Sequence, residues 1–148
     1  MAEVYRTAFR VRLDDVDYAR VLYFARYIHF CMVGLEDFFR EGLGLPWNVM
    51  LDEDHVVMPT ANVQIDYHSP LRFGEEAEIA ITVGHLGNKS VRFDYEMRRR
   101  PGGEAVCDAR QSCAFADTRT WQTCPIPPKY RAAFERFLVA RELKGESR

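Results

Sequence analysis

The feature that most constrains this fold is a long helical segment that is apolar around most of its circumference. From about Ala19 to Glu41 the apolar residues recur at helical spacing, and one side carries Phe24, Ile28, Cys31, Leu35 and Phe38. A helix with so narrow a polar stripe belongs in the middle of a fold. The pattern ends at Gly42, Gly44 and Pro46, which are residue types that terminate helices.

Five segments with strict alternation of apolar and other residues surround this helix and predict strands. They cover residues 5–13, 61–67, 77–83, 91–97 and 107–115. The four that follow the helix are joined by short turns and predict an antiparallel meander. We therefore expect a single α+β domain over residues 1–148, with a five-stranded antiparallel sheet around the helix and a short C-terminal helix at about 128–141.

Composition excludes several classes of protein. A net charge of −2 gives no general basis for binding nucleic acid. The N-terminus lacks a signal-peptide core and no apolar run is long enough for a membrane helix, so we expect a cytoplasmic protein. Four cysteines and four histidines show no metal-ligand spacing, so we expect reduced, mostly buried thiols and no metal.

Two carboxylates, Asp15 and Asp17, stand just before the helical segment. A carboxylate at this place can cap a helix, which is the ordinary role of aspartate there. The free N–H groups of the first helical turn can instead polarise a substrate carbonyl beside a catalytic carboxylate. We expect Asp15 to be structural and to accept backbone hydrogen bonds, and we leave both roles open for Asp17.

The chain resembles the hotdog-fold acyl-CoA thioesterases of the 4-hydroxybenzoyl-CoA thioesterase group. The motif D-x-D-x-x-G-x-V-Y-F-x-x-Y of that group is matched by Asp15-Val16-Asp17, Val21-Leu22-Tyr23-Phe24 and Tyr27. A second motif, aromatic-x-x-P-x-x-x-G-(D/E), is matched by Tyr67, Pro70, Gly74 and Glu75. The pair Lys89-Ser90, which opens a strand, is also similar to the family.

The resemblance implies a hotdog fold and hydrolysis of an acyl-CoA thioester to a free acid and CoA, without a metal or redox cofactor. It assigns the catalytic carboxylate to Asp17, as nucleophile or as general base. It places the oxyanion donor at a backbone N–H near Tyr23 or Phe24. It also implies a homo-oligomer, dimer or tetramer, with the active site between subunits.

One position departs from the family pattern, and a second is variable within the family. Arg20 stands where the family usually has glycine, so it either contacts an anionic acyl group or points into solvent. Phe24 lies where relatives vary between an aromatic residue and histidine. With phenylalanine at this position, only the main chain is left to polarise the carbonyl.

Further candidate site residues each have an ordinary structural alternative. Tyr23 and Tyr27 share a helix face, and either pack in the core or grip the acyl group. Met58 and Thr60, before the second strand, either line the acyl pocket or belong to the core and edge. Three others either form an exposed strand face or bind CoA phosphates, namely Lys89, Ser90 and Arg92.

Two other functions compete with thioester hydrolysis. Dehydration of a 3-hydroxyacyl thioester normally pairs a histidine with an acid, and no histidine accompanies Asp17 near the helix start in the sequence. A non-catalytic acyl-CoA-binding module is the second alternative, which the departure at Arg20 keeps open.

Overall fold

A computed structural model of the chain describes residues 1–139. Helix α1 is Phe24–Asp37 and continues as a wider, π-helical turn over Phe38–Gly42; α2 is Trp47–Asp52 and α3 is Pro128–Glu135. The strands are β1 Tyr5–Arg10, β2 Val56–Val57, β3 Thr60–Tyr67, β4 Glu76–Leu86, β5 Ser90–Arg100, β6 Ala105–Ala114 and β7 Ala116–Asp117.

Five strands form one antiparallel sheet in the order β1-β4-β5-β6-β3, and β2 pairs with β7 beside it. The predicted number of strands in the main sheet is confirmed. The predicted meander is correct only for β4, β5 and β6. Strand β3 lies at the far edge beside β6, because the segment 68–75 crosses the end of the sheet before β4 begins.

This crossing segment is anchored against the chain that leads into α1. Leu71 is fully buried, and its carbonyl accepts a hydrogen bond from the Leu22 N–H at 2.7 Å. The Leu71 N–H donates to the Tyr27 hydroxyl at 3.2 Å. The crossing therefore fixes the start of α1 at one end of the sheet.

Helix α1 packs on one face of the sheet, as its apolar pattern predicts. Cys31, Leu35 and Phe38 are buried, together with the alternate residues of β4, β5 and β6. An aromatic cluster with ring centroids 4.8–6.4 Å apart closes the far end, formed by Phe38, Phe39, Phe93, Phe134 and Phe137. Burial of this much aromatic surface is the main source of stability at that end.

Strand β3 is different, because neither of its faces is well covered. A bulge between Thr60 and Asn62 leaves Ala61 without a register partner and pairs Thr60 with Cys113. Residues opposite one another in an antiparallel pair share a face, so Val63 and Tyr67 lie on the helix side with Thr60. The bulge thus interrupts the alternation predicted for residues 61–67 at its first residue, Ala61.

Several predicted boundaries are wrong for identifiable reasons. Helix α1 begins at Phe24 rather than near Ala19, and Phe24 is 64% exposed instead of facing the core. Strand β1 ends at Arg10, and Leu13 enters a short 3₁₀ turn where it is 74% exposed. Helix α3 ends at Glu135, because Leu138 forms a bridge with Val83; residues 140–141 lie outside the described part.

The residues between Asp17 and Leu22 form a tight turn instead of helix. The Asp17 N–H donates to the Val21 carbonyl at 3.0 Å, and the Arg20 N–H donates to the Asp17 carbonyl at 2.9 Å. Arg20 has a φ of +67°, in the left-handed region that favours glycine. A left-handed residue at this point of the turn explains why the similar family usually has glycine here. Arg20 adopts the same conformation, with steric strain.

Replacement of Arg20 by glycine is expected to stabilise the fold by about 0.5 kcal/mol, since relief of left-handed strain exceeds the added flexibility of the unfolded chain. Urea unfolding of Arg20→Gly against wild type measures the change. Arg12→Gly is the matched control, because Arg12 has an ordinary φ of −103° and should lose stability. Destabilisation of both variants alike would contradict the argument.

Candidate active site

A cavity of about 380 Å³ opens where the turn, the start of α1, the end of β3 and the crossing segment meet. Its lining includes two of the strongest sequence candidates, Asp17 and Phe24, and the aromatic residues predicted to grip an acyl group. The full lining is Asp17, Val21, Leu22, Tyr23, Phe24, Tyr27, Tyr67, His68, Ser69 and Pro70.

The Asp17 carboxylate is held by its own turn. Its Oδ1 accepts a hydrogen bond from the Ala19 N–H at 2.8 Å, while Oδ2 has no hydrogen-bond partner within residues 1–139. No side chain caps α1, so Asp17 does not cap this helix. One carboxylate oxygen is thus fixed and the other faces no protein donor.

The backbone donors at the start of α1 are not all free. The Tyr23 N–H donates to the Asp15 carbonyl at 3.0 Å, and the Arg26 N–H donates to the Tyr23 carbonyl at 2.8 Å. Within the described residues, the N–H groups of Phe24 and Ala25 have no backbone or side-chain acceptor. Of the two donors considered from the sequence, only Phe24 is therefore available to a ligand.

Two tyrosines form a wall of this cavity. The Tyr27 and Tyr67 rings meet edge to face with centroids 5.1 Å apart. The Tyr67 hydroxyl donates to the Phe24 carbonyl at 3.1 Å, which ties the end of β3 to the first residue of α1. Tyr27 is nearly fully buried, so it contributes to the core as well as to the cavity. Burial raises the pKa of the Tyr27 hydroxyl, which stays protonated at neutral pH.

Asp15 is structural, as expected. Its side chain is buried and accepts hydrogen bonds from the Arg12 N–H at 2.8 Å and from Arg26 Nη2 at 2.6 Å. Burial alone would raise the pKa of this carboxyl, but these hydrogen bonds and the Arg26 charge outweigh it and hold the pKa below its ordinary value. Asp15 thereby fastens the turn that carries Asp17 to helix α1.

His68 and Ser69 also line this cavity, which was not expected from the sequence. They follow β3 and reach the site only because the chain crosses the sheet end there. His68 Nε2 lies 2.9 Å from Asp108 Oδ2, and the Ser69 hydroxyl donates to the Ala105 carbonyl at 2.7 Å. His68 therefore lines the same cavity as Asp17, although no histidine lies near Asp17 at the helix start in the sequence.

The remaining candidates do not join Asp17 within one protomer. Met58 and Thr60 line a separate cavity at the opposite end of β3. Lys89 and Ser90 lie at that same end, at the turn between β4 and β5. An eight-residue strand spans about 23 Å, so these groups cannot reach a thioester held beside Asp17 of their own chain.

Arg92 is already engaged by a protein carboxylate. Its guanidinium binds Asp94 through two contacts of 2.8 and 3.0 Å, and its side chain is only 16% exposed. It lies on the sheet face opposite to the helix, because it alternates with the buried Val91 and Phe93. A contact of Arg92 with CoA stays a prediction, and Lys89 is the more accessible cation.

All four cysteines are free, as expected. Burial raises the pKa of the Cys107 thiol to about 12 and that of Cys113 to about 11, so neither is a thiolate at neutral pH. Within residues 1–139, no three His, Cys, Asp or Glu side chains are grouped so that they could hold a metal ion. The helices of this part of the chain are also too short or too polar to span a membrane.

The fold, a five-stranded antiparallel sheet packed on one long helix, is shared with solved hotdog thioesterases. The family model of the thioesterase-like superfamily matches residues 11–134. The chain therefore belongs to the thioesterase-like superfamily. The predictions of the fold and of a thioester hydrolase are confirmed.

Named relatives agree with this membership. A 1,4-dihydroxy-2-naphthoyl-CoA hydrolase of Picosynechococcus sp. is 28% identical over 132 residues, which covers 86% of this chain and 88% of that protein. A 1,4-dihydroxy-2-naphthoyl-CoA thioesterase from Synechocystis has a TM-score of 0.82 at 18% identity, with 89% and 96% of the two chains covered. The gentisyl-coenzyme A thioesterase BH1999 has a TM-score of 0.76 at 24% identity, with 89% and 99% covered.

Removal of the Asp15 charge should lower stability in a pH-dependent way. At pH 7 we expect Asp15→Asn to cost about 2 kcal/mol, because the amide has no charge to pair with Arg26 and keeps only one of the two oxygens that accept from Arg26 and from the Arg12 N–H. The folded-state pKa of Asp15 lies below its unfolded value of about 3.9, so its contribution is complete above that value and is lost as the pH falls through the folded pKa.

Urea unfolding at pH 7 and at successively lower pH measures this difference between wild type and Asp15→Asn. Asp14→Asn is the matched control, since Asp14 is exposed and adjacent, and its effect should stay within about 0.5 kcal/mol. A deficit in Asp15→Asn that stays constant with falling pH would show that the carboxylate charge is not responsible.

Proposed function

We propose that this protein hydrolyses an aromatic or fatty acyl-CoA thioester to the free acid and CoA, with Asp17 as the essential carboxylate. The observation that carries the proposal is a single cavity lined by Asp17 and by Phe24 at the start of α1, where Asp17 Oδ2 and the Phe24 N–H have no hydrogen-bond partner within residues 1–139. The names of the relatives support an acyl-CoA substrate.

In this proposal the thioester carbonyl oxygen accepts a hydrogen bond from the Phe24 N–H, at the positive end of the helix dipole. Asp17 then promotes attack on the carbonyl carbon in one of two ways. As a nucleophile it forms an anhydride and releases the CoA thiolate, and water then hydrolyses the anhydride. As a general base it takes a proton from a water that adds to the carbonyl carbon, and collapse of the tetrahedral adduct breaks the C–S bond and releases the CoA thiolate.

The Asp17→Asn variant tests this role. The amide oxygen can still accept the Ala19 N–H bond that holds the turn, but the amide is neither a nucleophile nor a base. We expect kcat for thioester hydrolysis to fall at least about 100-fold. Thiol release from acyl-CoA substrates measures the rate, with Asp14→Asn as the matched control. Turnover by Asp17→Asn at the wild-type rate would refute the assignment.

We further propose that the working unit contains two copies paired through β3. This strand is one of the two edges of the sheet and has little cover on either face, and its backbone groups on the free side are open to a second strand. Two copies related by a two-fold axis would pair their β3 strands antiparallel. The Tyr67 end of one copy would then lie beside the Thr60 end of the other.

Such pairing would unite the candidates that one protomer separates. The cavity beside Asp17 of one copy would adjoin Met58 and Thr60 of the second copy. Lys89 and Ser90 of the second copy would lie at the same end, within reach of the phosphates of a CoA bound there. The predicted cytoplasmic location, the absence of nucleic-acid and membrane partners and the absence of a cofactor stay predictions.

A charge placed on the β3 edge is expected to separate the two copies. Val63 is 42% exposed on this strand, and Val63→Lys would bury an unpaired ammonium between copies. We expect a monomer in sedimentation and a loss of thioester hydrolysis of at least about tenfold. Val4→Lys is the matched control, because Val4 is also 42% exposed and lies elsewhere. A Val63→Lys protein that stays dimeric and active would exclude this interface.

One observation favours a second candidate, the dehydration of a 3-hydroxyacyl thioester. His68 borders the same cavity as Asp17, and that chemistry pairs a histidine with an acid. A coupled assay with 3-hydroxyacyl-CoA and enoyl-CoA distinguishes the two reactions. Interconversion of these two thioesters without release of free thiol would favour the dehydratase.

A further inference from the structure

Arg99 of β5 holds the crossing segment through three contacts of its guanidinium group. Its Nη1 donates to Glu75 Oε1 at 2.6 Å, and its Nη2 donates to Ser69 Oγ and to the Pro70 carbonyl, both at 3.0 Å. These acceptors lie near the two ends of the crossing segment. A guanidinium is suited to this task, because its five N–H donors stand in a fixed planar geometry.

The Arg99 side chain lies on the helix side of the sheet. Arg99 follows the buried Met97 at the two-residue period of β5, and its register partner Ala77 is fully buried. Only 17% of the Arg99 side chain is exposed, whereas the neighbouring Arg98 lies on the outer side and is 48% exposed. A charge with so little access to water needs protein partners, so Arg99 and the crossing segment constrain each other.

Glu75 connects Arg99 with the backbone of the crossing segment. Its Oε1 accepts from the Arg72 N–H at 2.7 Å as well as from Arg99. The Glu75 carbonyl accepts from the Val11 N–H at 2.9 Å, which joins the end of the crossing segment to the chain that follows β1. The carboxylate is therefore a shared acceptor, and the loss of Arg99 would release it.

The crossing segment is paired with residues 20–22 of the chain that leads into α1. An isolated bridge joins Val21 to Arg72, and the Leu22 N–H donates to the Leu71 carbonyl at 2.7 Å. Because this pairing is made by backbone groups, a shift of the crossing segment shifts residues 20–22 with it.

Residues 20–22 separate the two groups proposed for catalysis. Asp17 lies before them, and its N–H donates to the Val21 carbonyl at 3.0 Å. Phe24, which carries the N–H without a partner in the described residues, begins α1 directly after them. A misplacement of about 1 Å can lower the rate of an enzymatic reaction about 100-fold. The position of the crossing segment is therefore a determinant of the geometry of the site.

We propose that Arg99 is a positioning residue, which fixes the Asp17 carboxylate relative to the Phe24 N–H through the crossing segment. Arg99 is not among the described residues that line the cavity, so it influences the reaction without touching the thioester. The inference rests on the proposed hydrolysis. It assigns the effect to the three simultaneous contacts of the guanidinium, and not to its positive charge alone.

Two variants test this role. Arg99→Gln removes the charge, and Arg99→Lys keeps the charge but cannot reproduce the planar arrangement of donors. We expect each variant to lower kcat at least about tenfold and to leave KM within about threefold of wild type, since an interaction needed only in the transition state is lost. Thiol release from octanoyl-CoA and benzoyl-CoA measures both constants.

A loss of folded protein would also lower kcat, so binding is measured on the same samples. S-octyl-CoA and S-benzyl-CoA are thioethers without a carbonyl oxygen, and their binding does not depend on the Phe24 N–H. Isothermal titration of the Arg99 variants should give the wild-type number of sites and a Kd within about threefold. A fall in the number of sites in proportion to kcat would show that Arg99 only stabilises the fold, and would overturn the inference.

Arg98→Gln is the matched control. Arg98 is the adjacent arginine of β5, and it contacts Glu96 at 3.2 Å and the Gly103 carbonyl at 3.2 Å on the outer side of the sheet. Its replacement should leave kcat and KM within about twofold of wild type. An equal loss of kcat in Arg98→Gln and Arg99→Gln would contradict a specific role of Arg99.

The outcomes separate the two proposals. If the wild type hydrolyses no fatty or aromatic acyl-CoA, or if Asp17→Asn is as active as wild type, the proposed function fails. If hydrolysis depends on Asp17 but Arg99→Gln keeps the wild-type kcat, or Arg99→Lys restores it, only the positioning role of Arg99 is wrong.

Discussion

The burial of helix α1 against one face of the sheet is the interaction on which the rest of this structure depends. The helix supplies Cys31, Leu35 and Phe38 to a core that strands β4, β5 and β6 close from the other side. A single helix cannot cover five strands, so β3 is left with little cover at the edge. The same geometry leaves the start of α1 open, since the sheet ends there and only the crossing segment reaches it.

The open helix start is held in place by polar contacts. Asp15 joins the incoming turn to α1 through Arg26 and the Arg12 backbone, and Tyr67 joins β3 to the Phe24 carbonyl. These contacts satisfy the groups around the site without using Asp17 Oδ2 or the Phe24 N–H. Within the described residues, Asp17 Oδ2 and the Phe24 N–H are left without a protein partner, as the proposed thioester hydrolysis requires of a carboxylate and an oxyanion donor.

The proposed assembly follows from strand β3, which has little cover at the edge of the sheet. Thr60 and Tyr67 mark its two ends, and each end borders one cavity. Within one copy the cavities are too far apart to share a substrate, whereas two-fold pairing of β3 would bring one of each kind together.

Sequence by itself determined the class of fold, because hydrophobic periodicity of 3.6 and 2 residues fixes which segments are helix and strand. It also indicated Asp17, Phe24 and the tyrosines of one cavity, since motif and helix start are local in the chain. The tertiary structure alone placed His68 in the lining of the cavity that contains Asp17, put β3 at the far edge of the sheet and placed Met58 in a separate cavity. These outcomes depend on where the chain crosses the sheet end, and alternation of side chains says which face a residue takes but not which strand lies next to it.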